Sequence, residues 1–171
     1  MITPLEPGRR ILDLGTGTGL VGEVFRDIAR GGRLDGIDIA PRMIDAARRR
    51  GIYNDLMLGD LETMLHETGA AYDLILAADT MIYLGDLSAT FAGTAKRLEP
   101  GGFYIFAVES KDGSGWEQTA KNRFRHSEIY LREEAERTGL EFVDIMPCLL
   151  RIEGSTPVPG FAVALKKPNR S

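Results

Sequence analysis

The segment Ile11-Leu12-Asp13-Leu14-Gly15-Thr16-Gly17-Thr18-Gly19 constrains this 171-residue chain more than any other. Its apolar start reads as a buried strand. The three alternating glycines end that strand and permit a tight turn that other residues adopt only at a cost. From Leu20 to Arg30, the residues Val21, Val24, Phe25 and Ile28 recur at helical spacing. Strand, glycine turn and helix N-terminus together bring backbone N–H groups and the positive end of a helix dipole to one pocket, where bare backbone lets a ligand approach closely. Such a pocket suits a nucleotide-type cofactor.

The register of the glycines narrows the choice. Gly17-x-Gly19-x-x-Gly22 has the spacing of the dinucleotide fingerprint, but that fingerprint puts its first glycine directly after the strand. Here Gly15 holds that place, and Leu20 stands where the third glycine belongs. Asp13, inside the strand, would add unwanted negative charge to a pyrophosphate site, and its burial is costly without a partner. Near a ligand carrying a sulfonium and an ammonium group, the same carboxylate is welcome.

Strands are expected near 11–14, 34–38, 56–59, 73–77, 102–109, 141–150 and 158–166, and helices near 20–30, 41–50, 61–68, 86–98 and 127–138. This alternation predicts an α/β fold, a Rossmann-like three-layer sandwich with a seven-stranded, mostly parallel sheet. Glu153-Gly154-Ser155-Thr156-Pro157 leaves no room for a crossover helix, so the last strand is expected to run antiparallel. Lys111-Asp112-Gly113-Ser114-Gly115 reads as a loop.

These landmarks resemble the class I S-adenosylmethionine-dependent methyltransferases, whose first motif is a hydrophobic strand with an acid leading into Gly-x-Gly-x-Gly. Leu34-Asp35-Gly36-Ile37-Asp38 is similar to that family's second strand, Leu56-Met57-Leu58-Gly59-Asp60-Leu61 to its third, Tyr72 to Asp79 to its fourth, and Leu98-Glu99-Pro100-Gly101-Gly102 to the turn feeding its fifth. The resemblance implies S-adenosylmethionine as cofactor and S-adenosylhomocysteine as product. It implies cofactor contacts at Asp13, Gly15, Thr16, Gly17, Asp38, Ile39, Met43, Asp60, Leu61 and Ala77. Asp38 would take the ribose hydroxyls, Asp60 the adenine amino group, and Met43 would lie under the adenine. Asp60 could instead cap the helix at Leu61, and Asp38 the helix at Pro41. Local segments such as Arg50-Gly51-Ile52-Tyr53 and Arg123-Phe124-Arg125-His126-Ser127 resemble a bacterial group of methyltransferases fused to tetratricopeptide repeats, although no such repeat occurs here.

Methyl transfer from a sulfonium depends on aligning nucleophile, methyl and sulfur in a water-poor cleft. The lining is expected from Asp79 to Tyr83 and from the segment holding Trp116, Lys121, Arg123, Arg125 and His126. Tyr83 and His126 are the candidate catalytic residues, with His126 as a base; the second segment could instead be a solvated loop, and His126 simply a surface residue. The aromatic and basic groups suggest a small-molecule, partly anionic acceptor. A net charge of −4 argues against a broad nucleic-acid surface. No apolar run approaches membrane-spanning length, and the single Cys148 suits a reducing cytoplasm. No metal site is expected. Residues 1–171 are expected to form one methyltransferase domain lacking the family's usual N-terminal cap helices. Its rival is a non-catalytic methyltransferase-like domain that binds cofactor or partner, with a nicotinamide-dependent oxidoreductase more distant.

Overall fold

The computed structural model describes residues 6–67 and 69–169. Expectations resting on Met1 to Pro4, and the helix end placed at Thr68, lie outside them. Strand and helix alternate as β1 (Arg10–Leu14), α1 (Leu20–Ala29), β2 (Arg33–Asp38), α2 (Pro41–Arg48), β3 (Asp55–Leu58), α3 (Leu61–His66) and β4 (Tyr72–Ala77). A 3-10 turn at Met81–Tyr83 leads to α4 (Ser88–Arg97) and β5 (Leu98–Ser110). Then come β6 (Trp116–Gln118), β7 (Phe124–His126), α5 (Glu128–Thr138), β8 (Glu141–Glu153) and β9 (Thr156–Lys166).

Local chemistry sets several boundaries. Pro41 opens α2, where its missing N–H costs nothing. Ser127 caps α5 by accepting from the Tyr130 N–H, and Gly139 ends that helix in the left-handed region.

Strands β3, β2, β1, β4 and β5 lie side by side in that order, all parallel. β9 runs antiparallel to β5, and β8 antiparallel to β9. That seven-strand path is the one expected, but among the described residues the sheet holds nine strands. The addition is the β6–β7 hairpin, in the segment expected to line the acceptor side, to which the sequence reading assigned no strand. Glu109 of β5 faces both Gly160 of β9 and Arg125 of β7. β7 therefore sits on the flank opposite β9, continuing the line that β4 leaves when Ala77 pairs with Phe106.

The sheet separates two apolar layers, as side-chain alternation requires. Leu12, Leu14, Ile75, Tyr104 and Phe106 face α3, α4 and α5 through Leu65, Phe91, Leu131 and Ala135. Ile11, Leu34, Leu74 and Leu76 face the other way, toward Val21, Phe25 and Ile28 of α1 and toward Tyr53. Phe91 meets the rings of Tyr104 and Phe106 edge-on. Each such fully buried ring contributes about 1.5–3 kcal/mol by transfer from water. Parallel strands buried on both faces leave ligands only the edge at their carboxyl ends.

Candidate active site

At that edge β1 turns sharply. Gly15, Gly17 and Gly19 have φ of 67°, 52° and 83°, all in the left-handed region. Gly15 needs glycine twice over, because a Cβ there would lie 2.1 Å from Thr80 Oγ1. That hydroxyl donates to the Leu14 carbonyl at 2.9 Å, tying the exit of β4 to the exit of β1. A Cβ on Gly17 would meet nothing within 4 Å, so the space beside it is open. Gly19 starts α1 without a side-chain cap, leaving the first turn of that helix to a ligand's anionic group.

Asp38, the last residue of β2, closes onto the loop. Its Oδ2 accepts from the Gly17 N–H and its Oδ1 from the Ala40 N–H, both at 2.8 Å. Two backbone donors fix the carboxylate, and each oxygen keeps a lone pair for a further donor. Around it stand Ile39 (71% exposed), Met43 (39%) and Leu58 (56%), with Leu58 directly opposite Asp38 in the sheet register. Exposed apolar side chains beside a fixed acid suit a flat, partly apolar ligand with paired hydroxyls. The adenosine half of S-adenosylmethionine has that chemistry, so these residues fit the cofactor. Leu58 was missed in the sequence because it reads as an inward strand residue.

Asp60 caps α3, its Oδ1 accepting from the Thr63 N–H and hydroxyl at 2.9 Å each. Its side chain remains exposed, and Leu61 beside it is half-buried.

Other expected contacts lie elsewhere. Asp13 is 1% exposed, faces α1, and accepts from the Tyr53 hydroxyl at 2.7 Å. Burial lifts its carboxyl to about 6, against the lowering effect of that hydrogen bond. It supports the loop from beneath and does not line the groove. The strand pattern could not show this, because Tyr53 is 40 residues away. Tyr53 is thus a site residue that the sequence reading missed, as is Arg50, whose Nε donates to the Thr18 carbonyl at 2.5 Å. Thr16 and Ala77 are also buried, so only their backbones reach the site; Ala78 and Asp79 carry the exposed part of that turn.

Of the two candidate catalytic residues, Tyr83 is 57% exposed just past β4. His126 is wholly buried, 5.8 Å from the Tyr130 ring in a stacked arrangement, with its Nε2 2.9 Å from the Gly85 carbonyl. Burial holds its pKa below the ordinary histidine value, which makes the neutral ring the resting form. In this structure it anchors the Gly85 turn inside the core, which takes it out of the cleft where a catalytic base was expected and equally excludes the surface alternative. A polar cavity of about 260 Å³ opens at the amino ends of the strands beside Arg33, Asp35 and Tyr72, at the opposite edge from the glycine loop.

Known proteins share this fold. The chain is 32% identical over 123 residues to a malonyl-[acyl-carrier protein] O-methyltransferase of Serratia marcescens, covering 69% of this chain and 47% of that protein. It spans less than half the length of the curated relatives it matches. The solved [4+2]-cyclase SpnF superposes with a TM-score of 0.79 at 17% identity, covering 97% of this chain and 77% of that one. The 1,6-didemethyltoxoflavin-N1-methyltransferase of Burkholderia thailandensis, solved with S-adenosylhomocysteine, superposes at 0.72 with 19% identity, covering 96% and 72%. At these identities the structural likenesses establish the fold alone. Residues 11–102, more than half of the chain, match the methyltransferase-domain family. From the glycine loop through the Pro-Gly-Gly turn, the chain belongs to the class I S-adenosylmethionine-dependent methyltransferases.

Proposed function

We propose that this domain transfers a methyl group from S-adenosylmethionine to a small-molecule acceptor. The observation that carries the reading is the Asp38 carboxylate, fixed by two backbone amides at the rim of the glycine loop among exposed apolar side chains. Asp38 takes the ribose hydroxyls, while Ile39, Met43 and Leu58 supply the apolar bed for the adenine. The free oxygen of Asp60 serves the adenine amino group. The N-terminal turn of α1 receives the carboxylate of the amino-acid portion. When bound, the cofactor supplies an electrophilic methyl on a sulfonium, and S-adenosylhomocysteine remains after in-line displacement. Tyr83 orients the acceptor at the methyl end, which lies toward β4. Relatives named for malonyl-[acyl-carrier protein] and for ubiquinone biosynthesis, both O-methyltransferases, support a carrier-linked or free small-molecule acceptor. A cytoplasmic setting goes with this reading, supported by a single cysteine; among the described residues no helix is long and apolar enough to cross a membrane.

Calorimetry with S-adenosylhomocysteine tests the cofactor half. Wild type binds, Asp38→Ala weakens binding by more than tenfold, and NAD gives no heat. Transfer of label from methyl-labelled donor into a metabolite pool tests the catalytic half. The burial of His126 favours one alternative, a domain that binds cofactor without turnover, because it withdraws the expected base. Cofactor binding with no transfer to any pool would select it.

A further inference from the structure

Four cations and two buried or half-buried carboxylates meet where β5, the β6–β7 hairpin and the end of β8 come together. Glu109, 3% exposed, accepts from Arg151 Nη2 and lies 3.5 Å from Arg125 Nε. Glu153 accepts from Lys121 Nζ, from Arg123 Nη1 and, at 2.7 Å, from Arg151 Nε. Arg151 thereby bridges both acids, yet its third nitrogen, Nη1, is enclosed without a partner. These ion pairs hold the Glu153 carboxyl down to about 2, so it stays ionised and cannot shed its partners by protonation. Glu117 lies opposite Arg125 in the hairpin register. Even with Glu117 included, Lys121, Arg123, Arg125 and Arg151 outnumber the three acids. The cluster carries an uncompensated positive charge with forked guanidinium donors, the geometry that matches carboxylate and phosphate.

The register fixes where this charge sits. Glu109 lies three residues beyond Phe106, the last partner of β4, or roughly 10 Å at strand rise. The cluster is therefore on the carboxyl edge of the sheet, the same edge as the glycine loop, and displaced past β4 away from Asp38. Arg123 and Arg125 share one face of β7, while Phe124 and His126 turn to the other and pack with Trp116 and Tyr130. The hairpin's aromatic face is spent on anchoring it, and its basic face is left to the edge. A purely structural staple between hairpin and β8 would need only balanced pairs. The surplus of guanidinium lies on the open side of the cluster, where the Arg125 side chain is 46% exposed and that of Arg123 28%, and points to a ligand.

We propose that the Arg123, Arg125 and Arg151 cluster seats an oxyanion of the methyl acceptor, a carboxylate or a phosphate monoester, and so selects anionic acceptors. This rests on the methyltransferase reading for its acceptor but not for its anion. Arg125 and Arg123 are the outer, reachable donors, and Arg151, tied to Glu109 and Glu153, is the inner cation whose fork holds the cluster together and adds its charge.

Calorimetric titration with inorganic phosphate and, separately, with malonate tests the site, each with and without saturating S-adenosylhomocysteine. Saturable binding of at least one anion to wild type is expected. Arg125→Gln should weaken it by about tenfold, and Arg151→Lys, which keeps the charge but loses the fork, by a similar factor. Both variants should bind S-adenosylhomocysteine as wild type does. Preference for malonate identifies a carboxylate-bearing acceptor, and preference for phosphate a phosphorylated one. Absence of saturable binding of either anion, or equal binding by wild type and Arg125→Gln, overturns the proposal while leaving the methyltransferase reading intact. Anion binding without S-adenosylhomocysteine binding would instead remove the reading on which the acceptor rests.

Discussion

The Tyr53 hydroxyl donates to Asp13 Oδ2 at 2.7 Å and holds a buried carboxylate beneath the glycine loop. Gly22 makes room for it, since a Cβ there would lie 2.3 Å from that hydroxyl. Tyr53→Phe leaves Asp13 without this donor and should cost about 1–3 kcal/mol in stability. Cofactor affinity should fall too, because the loop loses its prop. Urea unfolding and calorimetry on the same variant check both effects.

Asp13 also sets a pH dependence. Its carboxyl is lifted in the folded chain from 3.8 to about 6, so the folded state binds the proton more tightly than the unfolded state. Its contribution is fully present below about pH 4 and is lost as pH rises to about 6, amounting to ~3 kcal/mol. Asp13→Asn removes that titration. The stability of the variant relative to wild type should therefore climb between pH 4 and 6 and level off above. A flat difference across that window would show that Asp13 does not titrate as its burial requires.

His126 works in the opposite sense. Its pKa is lowered by burial, so the unfolded chain takes up protons first as the medium is acidified. The stability held by its neutral ring is present above the ordinary value of 6.5 and is lost as pH falls below it. His126→Ala should destabilise by about 2–4 kcal/mol at neutral pH through the cavity it leaves. It should also flatten the acid side of the profile, as read by chemical unfolding at pH 5 and 8.

The two loop glycines should separate stability from binding. Gly15→Ala drives a methyl into Thr80 and should destabilise by several kcal/mol, about 2–4. Gly17→Ala meets no protein atom and should cost only about 1 kcal/mol, the strain of its left-handed backbone. Its methyl projects into the groove, so S-adenosylhomocysteine affinity should drop at least tenfold. Thermal unfolding and calorimetry distinguish the two variants.

Tyr83 should matter to turnover alone. With an acceptor in hand, Tyr83→Phe should lower kcat/KM about tenfold with cofactor affinity unchanged, since its side chain stands exposed beyond β4. Equal rates for the two proteins would place the acceptor elsewhere.

The parallel strands were legible because Ile11 to Leu14 and Leu74 to Ala77 are buried on both faces and read as apolar runs. The antiparallel end followed from a five-residue connection that admits no helix. The β6–β7 hairpin was not legible, since its strands have three residues each and carry Glu117, Gln118 and Arg125 among them. The position of Asp38 beside the glycine loop was legible, since it ends the second strand about one β-α-β unit after that loop. Asp13, Tyr53 and His126 owe their roles to partners 40 or 41 residues away, which no local pattern contains.

β5 is paired along both flanks, by β9 on one side and by β4 and then β7 on the other. Its amides point alternately to the two flanks, so exposing the strand as a whole requires parting both sets of partners, and its slowest exchange reports the opening of the domain. The cofactor edge reaches β5 through β4, and the basic hairpin reaches it through β7. A ligand that tightens either one therefore slows exchange along the same strand. β5 is thus the strand that both ends of the groove share, and its exchange is the single readout on which ligands at either end should converge.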